Sequence, residues 1–161
     1  MICDIIAAAG GKLVGKVRLH KAFYYAHLYY WQRGTGVLTS YPVVRLPFGP
    51  AIDEGPTLLA ELVHEGKLRI STQPIGPYKE SVFELTQSFQ IDPTDVRFQA
   101  IEVAVEQVKS KTAVELSEET HLTAGVGRKA KMAGSWISTP TFWKTWNISK
   151  SNKTRNTAGS W

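Results

Sequence analysis

The stretch VRLHKAFYYAHLYYW, residues 17–31, decides how this chain folds. Its apolar and aromatic side chains recur with the spacing of an α-helix, and they form two rows instead of one. The first row holds Leu19, Phe23, Ala26 and Tyr30, and the second holds Lys16, His20, Tyr24, His27 and Trp31. Because rings surround much of this helix, it must pack against neighbours on several sides. The sequence therefore predicts a central, aromatic-rich helix.

The same excess of rings predicts a binding surface on this helix. We expect that a core cannot absorb all of these side chains, so the exposed apolar patch should come from among Tyr24, Tyr29, Tyr30 and Trp31. Tyrosine and tryptophan anchors often dominate the energetics of protein interfaces. The basic, tryptophan-containing C-terminal segment is a second candidate for this surface. Either surface would bind another polypeptide.

Composition limits the class of protein. The chain has 161 residues, 43% of them hydrophobic and 20% charged, which fits one globular domain. No apolar run approaches the roughly 20 residues of a membrane-spanning helix, so we expect no membrane partner. Cys3 is the only cysteine, which excludes a disulfide within the chain and a multi-cysteine zinc site. Residues 1–9 lack the basic leader of a secretion signal, so a cytoplasmic location is expected.

The charge is unevenly distributed along the chain. Residues 122–161 hold seven basic and no acidic side chains, whereas the other 121 residues hold 12 basic and 14 acidic ones. Tryptophan and phenylalanine side chains are interleaved with this basic run, which is one pattern of nucleic-acid binding. The alternative is a packed segment followed by a solvated tail. The candidate nucleic-acid contacts are Arg128, Lys129, Lys131 and Lys144.

The remaining pattern predicts a mainly helical α+β domain over residues 1–146 and a basic tail over residues 147–161. A short helix over residues 4–9 precedes the aromatic helix, which should end near Arg33. Residues 37–46 are expected to be extended, and Pro47-Phe48-Gly49-Pro50 to form a turn. A β-hairpin is predicted from residues 67–72 and 81–87. We expect a wide loop between its strands, because Pro74-Ile75-Gly76-Pro77 is too long and proline-rich for a two-residue turn.

Three further helices are predicted from their first residues. Asp53 or Glu54 should cap a helix that accepts Pro56 in its first turn. Asp92, followed by proline, should cap a helix whose apolar residues recur every fourth position. Thr112-Ala113-Val114-Glu115 has the pattern of a capping box and predicts another helix after it.

The candidates for chemistry are few. His20, His27 and His121 would make a three-histidine metal site only if the fold brought them together. The alternative, which we favour, is that His27 and His121 bond backbone groups or a tyrosine hydroxyl. Asp53 and Glu54 follow the Phe48 turn and could act as an acid and base pair, although adjacent acids ahead of a helix are more typical of a cap. Since no nucleophile or phosphate-loop motif is present, we expect neither enzymatic activity nor a cofactor.

Five ordered landmarks resemble the Panacea domain, the family of SocA-like antitoxins and phage-associated proteins. They are D-I-I near the start, L-x-K-x-x-Y-Y-A-H over residues 19–27, F-G-P over 48–50, L-x-x-x-G over 62–66 and L-S-x-x-T-H over 116–121. The resemblance spans roughly residues 2–138. It implies a mainly helical domain with a small β element that neutralises a toxin encoded beside it by direct binding. Some relatives also deliver their partner to a protease, so a protease is a further expected partner.

The landmarks and the aromatic helix together give the candidate partner-binding residues. Lys21, Tyr25, His27 and His121 are expected to form a shared polar cluster near a groove. Tyr29 and Trp31 are expected to add exposed aromatic contacts. The alternative function is a DNA-binding regulator that uses the basic C-terminal segment, with the hairpin of residues 67–87 as a wing.

Overall fold

The described part of the chain contains five helices. The structure is a computed structural model that describes the backbone of residues 1–124 and the side chains of residues 1–120. The helices are α1 (Ile2–Ala8), α2 (Lys16–Gln32), α3 (Gly55–His64), α4 (Val96–Lys109) and α5 (Ala113–Ala124). The predicted tail at 147–161 and the boundary at residue 146 lie outside the described residues. None of the described helices is both long and apolar enough to cross a membrane.

Two small antiparallel sheets complete the described fold. The first contains β1 (Lys12–Val14), β4 (Leu68–Ile75) and β5 (Tyr78–Leu85) in the order β1-β5-β4. The second is a hairpin of β2 (Val43–Leu46) and β3 (Gly49–Ile52). About 47% of the described residues are helical and 22% are in strands. The prediction of a predominantly helical α+β domain is therefore confirmed.

The aromatic helix α2 lies in the middle of the core, as predicted. It packs against α1, α4, α5 and the β3 strand, so neighbours surround it. Tyr24 is 3% exposed and Tyr29 is 7% exposed, while Tyr30 and Trp31 are half-buried against the core. Of the four candidates, Tyr24 and Tyr29 are ruled out as exposed apolar surface, because the elements packed around α2 absorb their rings.

The β4–β5 hairpin is tighter than the sequence indicates. The strands stay paired up to Ile75 and Tyr78, so only Gly76 and Pro77 form the loop. Gly76 has a φ of +58° and proline has a fixed negative φ, which is the sign pattern of a type II′ turn. The predicted wide loop is wrong because Pro74 and Ile75 belong to the strand.

Two strand pairings are not apparent in the sequence. The β1 strand has three residues, too few for an alternation to be recognised, and it pairs with β5 through Leu13 and Phe83. The β2 and β3 strands occupy part of the segment predicted as extended and half of the predicted turn. Their register places Val43 opposite Ile52 and Leu46 opposite Gly49, so the turn itself is Pro47-Phe48.

The side-chain cap at the start of α5 is the predicted one, whereas the side-chain caps of α4 and α3 differ from the prediction. Thr112 and Glu115 form the predicted capping box, with the Thr112 N–H donating to the Glu115 carboxylate at 2.7 Å. The Glu115 N–H donates back to the Thr112 hydroxyl at 3.3 Å. The α4 cap is Asp95 and not Asp92, whose carboxylate bonds Thr94 in the preceding turn. Glu54 occupies the N-cap position of α3 and Pro56 lies in the first turn, as predicted, but the Glu54 side chain makes no cap hydrogen bond and its φ of +50° is left-handed.

Candidate functional site

A buried lysine holds the β2–β3 hairpin against the central helix. Lys21 lies on α2 and is 2% exposed, and its side chain extends beneath the hairpin turn. The Nζ donates to the Phe48 carbonyl at 2.6 Å and to the Pro50 carbonyl at 3.3 Å. Hydrogen bonds to a charged group are stronger than those between neutral groups. We call this arrangement the Lys21 clamp, comprising Lys21, Phe48, Gly49 and Pro50.

Gly49 is required where the clamp closes. Its φ of +94° lies in a region that side chains with a Cβ rarely adopt. A Cβ at this position would lie 2.6 Å from the Lys21 Nζ and 2.9 Å from the Thr120 Oγ1. Thr120 is fully buried on α5 and its hydroxyl donates to the Leu116 carbonyl at 2.8 Å. Three elements, namely α2, the hairpin and α5, therefore meet closely at Gly49.

Burial determines the protonation of the groups around the clamp. It lowers the pKa of Lys21 to about 8. His20, the residue before Lys21 on α2, accepts a hydrogen bond at Nδ1 from the Ile52 N–H at 3.1 Å. Burial, and then the charges of Lys16 and Lys21, lower the pKa of His20 to about 4. At neutral pH a neutral imidazole thus holds the far end of β3, while a lysine holds the turn.

The turn held by the clamp presents apolar side chains to solvent. The Phe48 side chain is 74% exposed although its carbonyl is bound by Lys21. Leu46, at the end of β2, is 49% exposed. Single exposed apolar side chains are common on protein surfaces. Phe48 differs in that Lys21 binds its backbone carbonyl, and an exposed ring on a held backbone suits an interface anchor. We refer to Leu46, Pro47 and Phe48 as the apolar tip.

A second polar cluster joins α2 to α4 and α5. The Tyr29 hydroxyl donates to the Gln107 Oε1, and the Gln107 Nε2 donates to the Glu119 Oε1 at 3.1 Å. Lys111 forms an ion pair with the same Glu119 carboxylate. Burial, followed by the Glu119 charge, raises the pKa of Tyr25 and raises that of Tyr29 to about 12. Both tyrosines stay protonated, and Tyr29 connects α2 to α4 through Gln107.

His27 has an unusual environment for a histidine. It is 2% exposed, and among the side chains of residues 1–120 neither ring nitrogen has a hydrogen-bond partner. Its nearest ring is that of Phe23, with centroids 5.0 Å apart. Burial lowers the pKa of His27 to about 4, so the imidazole is neutral at physiological pH. The expectation that His27 bonds a backbone group or a tyrosine hydroxyl is therefore wrong.

The predicted partner-binding residues are placed in three different environments. Lys21 lies in the clamp, Tyr25 and Tyr29 in the cluster around Glu119, and His27 in an apolar setting beside Phe23. These four side chains are buried, so they support surfaces and do not themselves form one. Trp31 is half-buried at the end of α2. The His121 side chain lies outside the described residues, as do Arg128, Lys129, Lys131 and Lys144.

The apolar tip was not among the predicted contacts, although the sequence contains a sign of it. Phe48 follows Pro47 and precedes Gly49 and Pro50, a composition that predicts a turn. A phenylalanine is unexpected there, because turn residues are normally polar. A phenylalanine in such a turn must either fold back into the core or remain on the surface.

No group of three or more His, Cys, Asp or Glu side chains in the described part of the chain is arranged to hold a metal ion.

Comparison with known proteins gave no relatives: no protein-family model, curated protein or solved structure matches this chain.

The Gly49→Ala variant tests the clamp. The new Cβ would displace the Lys21 ammonium and also meet an unfavourable φ, so we expect a loss of unfolding free energy of about 2 kcal/mol or more. Gly10 is the matched control because its φ is +92° and nothing lies within 4 Å of an added Cβ. Urea unfolding of both variants should show a clearly larger loss for Gly49→Ala. Equal losses would mean that the clamp contributes nothing.

Stability should fall on acidification because of His27. Its pKa is lowered in the folded state, so its contribution is complete above the ordinary pKa of about 6.5 and is lost as the pH falls toward 4. Between pH 7 and pH 5 we expect His27→Leu to lose about 2 kcal/mol less unfolding free energy than the native chain. The substitution His64→Leu, at an exposed histidine, is measured beside it as the control. An unaltered response in His27→Leu would contradict the buried environment of this ring.

Proposed function

We propose that this chain is an antitoxin-like protein that binds and neutralises a toxin in the cytoplasm. The toxin would be the product of an adjacent gene, as the sequence resemblance implies. The observation that carries the proposal is the apolar tip, a phenylalanine held on a fixed turn and 74% exposed. Burying such a side chain in a partner's pocket is favourable by roughly 25 cal/mol for each Å² of apolar surface removed from water.

The clamp supports binding by limiting the entropy that association costs. A loop that must become ordered on binding opposes affinity, because its conformational freedom is lost in the complex. The Phe48 carbonyl is already bonded to Lys21, and Gly49 and Pro50 are buried. The tip can therefore enter a partner without reorganising its backbone. Neutralisation would follow by occlusion, with the tip covering a surface that the toxin needs for its activity.

The charge of the described surface favours a protein partner over nucleic acid. A DNA-binding use of the β4–β5 hairpin as a wing would place a neighbouring helix against phosphates, and α3 directly precedes the hairpin. Residues 53–66 contain Asp53, Glu54, Glu61 and Glu65 and no lysine or arginine. Acidic side chains at that position would repel a phosphate backbone. The DNA-binding alternative depends on the basic residues of 122–161 and stays a prediction.

The apolar tip can be tested against an equally exposed aromatic residue elsewhere. Tyr78 is also 74% exposed and also lies beside a hairpin turn, so it is a matched control. In cells that co-express the adjacent gene product, Phe48→Ala should lose protection, while Tyr78→Ala should keep it. With purified proteins we expect Phe48→Ala to weaken the Kd by about 30-fold, the equivalent of a hot spot of about 2 kcal/mol. Thermal unfolding should confirm that both variants remain folded.

The outcomes separate the function from the surface. If the native chain fails to protect cells from a toxic neighbour, or if that neighbour is harmless alone, the antitoxin function is wrong. If the native chain protects but Phe48→Ala protects equally well, the function stands and the tip is not the contact. Loss of protection in both variants would also reject the tip as the specific contact.

A further inference from the structure

The β4 strand forms an edge of the three-stranded sheet. In the order β1-β5-β4 it pairs with β5 on one side, and no strand among the described residues pairs with its other side. Edge strands carry a row of backbone donors and acceptors that can pair with another chain. Which residues point outward follows from the hydrogen-bond pattern of the ladder.

One bond at the base of the hairpin fixes that pattern. The Thr86 N–H donates to the Lys67 carbonyl at 3.2 Å, so Lys67 faces β5. Hydrogen-bonded and non-bonded pairs alternate along an antiparallel ladder. The odd-numbered residues of β4 therefore bond to β5, and the even-numbered residues direct their backbone groups outward. The bond from the Gly15 N–H to the Ser81 carbonyl, at 2.9 Å, gives the same alternation on the β1 side of β5.

Pro74 agrees with this assignment and shows what the edge tolerates. It occupies an outward position, where its missing N–H removes nothing from the ladder with β5. Leu68 is buried at the start of the strand, whereas Ile70 is 39% exposed and Thr72 is exposed. The backbone groups open to a second strand are thus those of Ile70 and Thr72, with the Pro74 carbonyl beside them.

We propose that this edge pairs with β4 of a second copy of the chain, antiparallel about a two-fold axis at Ser71. A two-fold interface needs a surface that complements itself. About this axis Ile70 faces Thr72 of the other copy, and each such pair can exchange both of its hydrogen bonds. In this register the Ile70–Thr72 pairs keep all of their donors. The next outward pair, Leu68 with Pro74 of the other copy, lacks the proline N–H and can add only the bond from the Leu68 N–H to the Pro74 carbonyl.

The side chains of β4 permit this pairing. Arg69 is the only charged residue in the strand, and about Ser71 it lies opposite Gln73 of the other copy. Like charges that lie opposite each other are the main electrostatic obstacle to pairing identical strands, and this register has none. Ser71 meets Ser71 across the axis, and two small polar side chains fit that close position. The two three-stranded sheets would join into one continuous six-stranded sheet.

The first test removes one outward donor. Thr72→Pro deletes an N–H that does not serve the ladder with β5, and Pro74 shows that proline is accepted at such a position. Thr72→Ala, which keeps the N–H, is the matched control. Sedimentation equilibrium of the full chain across the micromolar range should show a dimer for the native chain and for Thr72→Ala. For Thr72→Pro we expect the dimer Kd to weaken by about 30-fold, because two symmetric hydrogen bonds of about 1 kcal/mol each are lost.

A second variant keeps the proposal testable if Thr72→Pro does not fold. Residues that meet at a non-hydrogen-bonded position have Cα atoms about 4.5 Å apart, which is close enough for a disulfide. Ser71→Cys should therefore form a covalent dimer under mild oxidation. Gln73→Cys, away from the axis, should not, and the buried Cys3 should not contribute. A native chain that is monomeric throughout, a dimer unaffected by Thr72→Pro, or equal crosslinking of the two cysteine variants would overturn the proposal.

Discussion

The Lys21 ammonium lies inside the fold, and its hydrogen bonds to the carbonyl of Phe48 in the turn and of Pro50 in β3 hold the hairpin in place. Burying a charged amine is costly unless its donors are satisfied, and here the acceptors are backbone carbonyls at 2.6 Å and 3.3 Å. Only a glycine fits between the ammonium and the Thr120 hydroxyl. The position of the hairpin is therefore set by the central helix, although the two are distant in sequence.

This constraint explains how a small hairpin can present a fixed apolar tip. The β3 residues are all buried, whereas the turn that follows β2 is exposed. The His20 imidazole bonds one end of β3 and Lys21 bonds the other. Phe48 thus combines an exposed ring with a backbone that has little freedom left to lose. That combination is what an interface anchor needs, since affinity depends on the surplus left after the ordering cost.

The local pattern of the sequence predicted those elements that depend on local interactions. The 3.6-residue periodicity identified α2, and the Thr112–Glu115 spacing identified the start of α5. What it missed depends on contacts between distant segments. The rings of Tyr24 and Tyr29 are buried because other elements cover α2, and periodicity does not report how many neighbours a helix has. The resemblance named Lys21 and Gly49 as landmarks, but only the structure places them in contact.

The most direct test of the clamp is the pKa of the Lys21 amine, measured by an NMR titration of the lysine side chains. The resonance can be assigned from its absence in Lys21→Met. Burial in the clamp lowers this pKa to about 8, so the resonance should titrate well below those of the surface lysines. A value near 10.4, typical of a solvated lysine, would place the amine outside the turn and contradict the clamp.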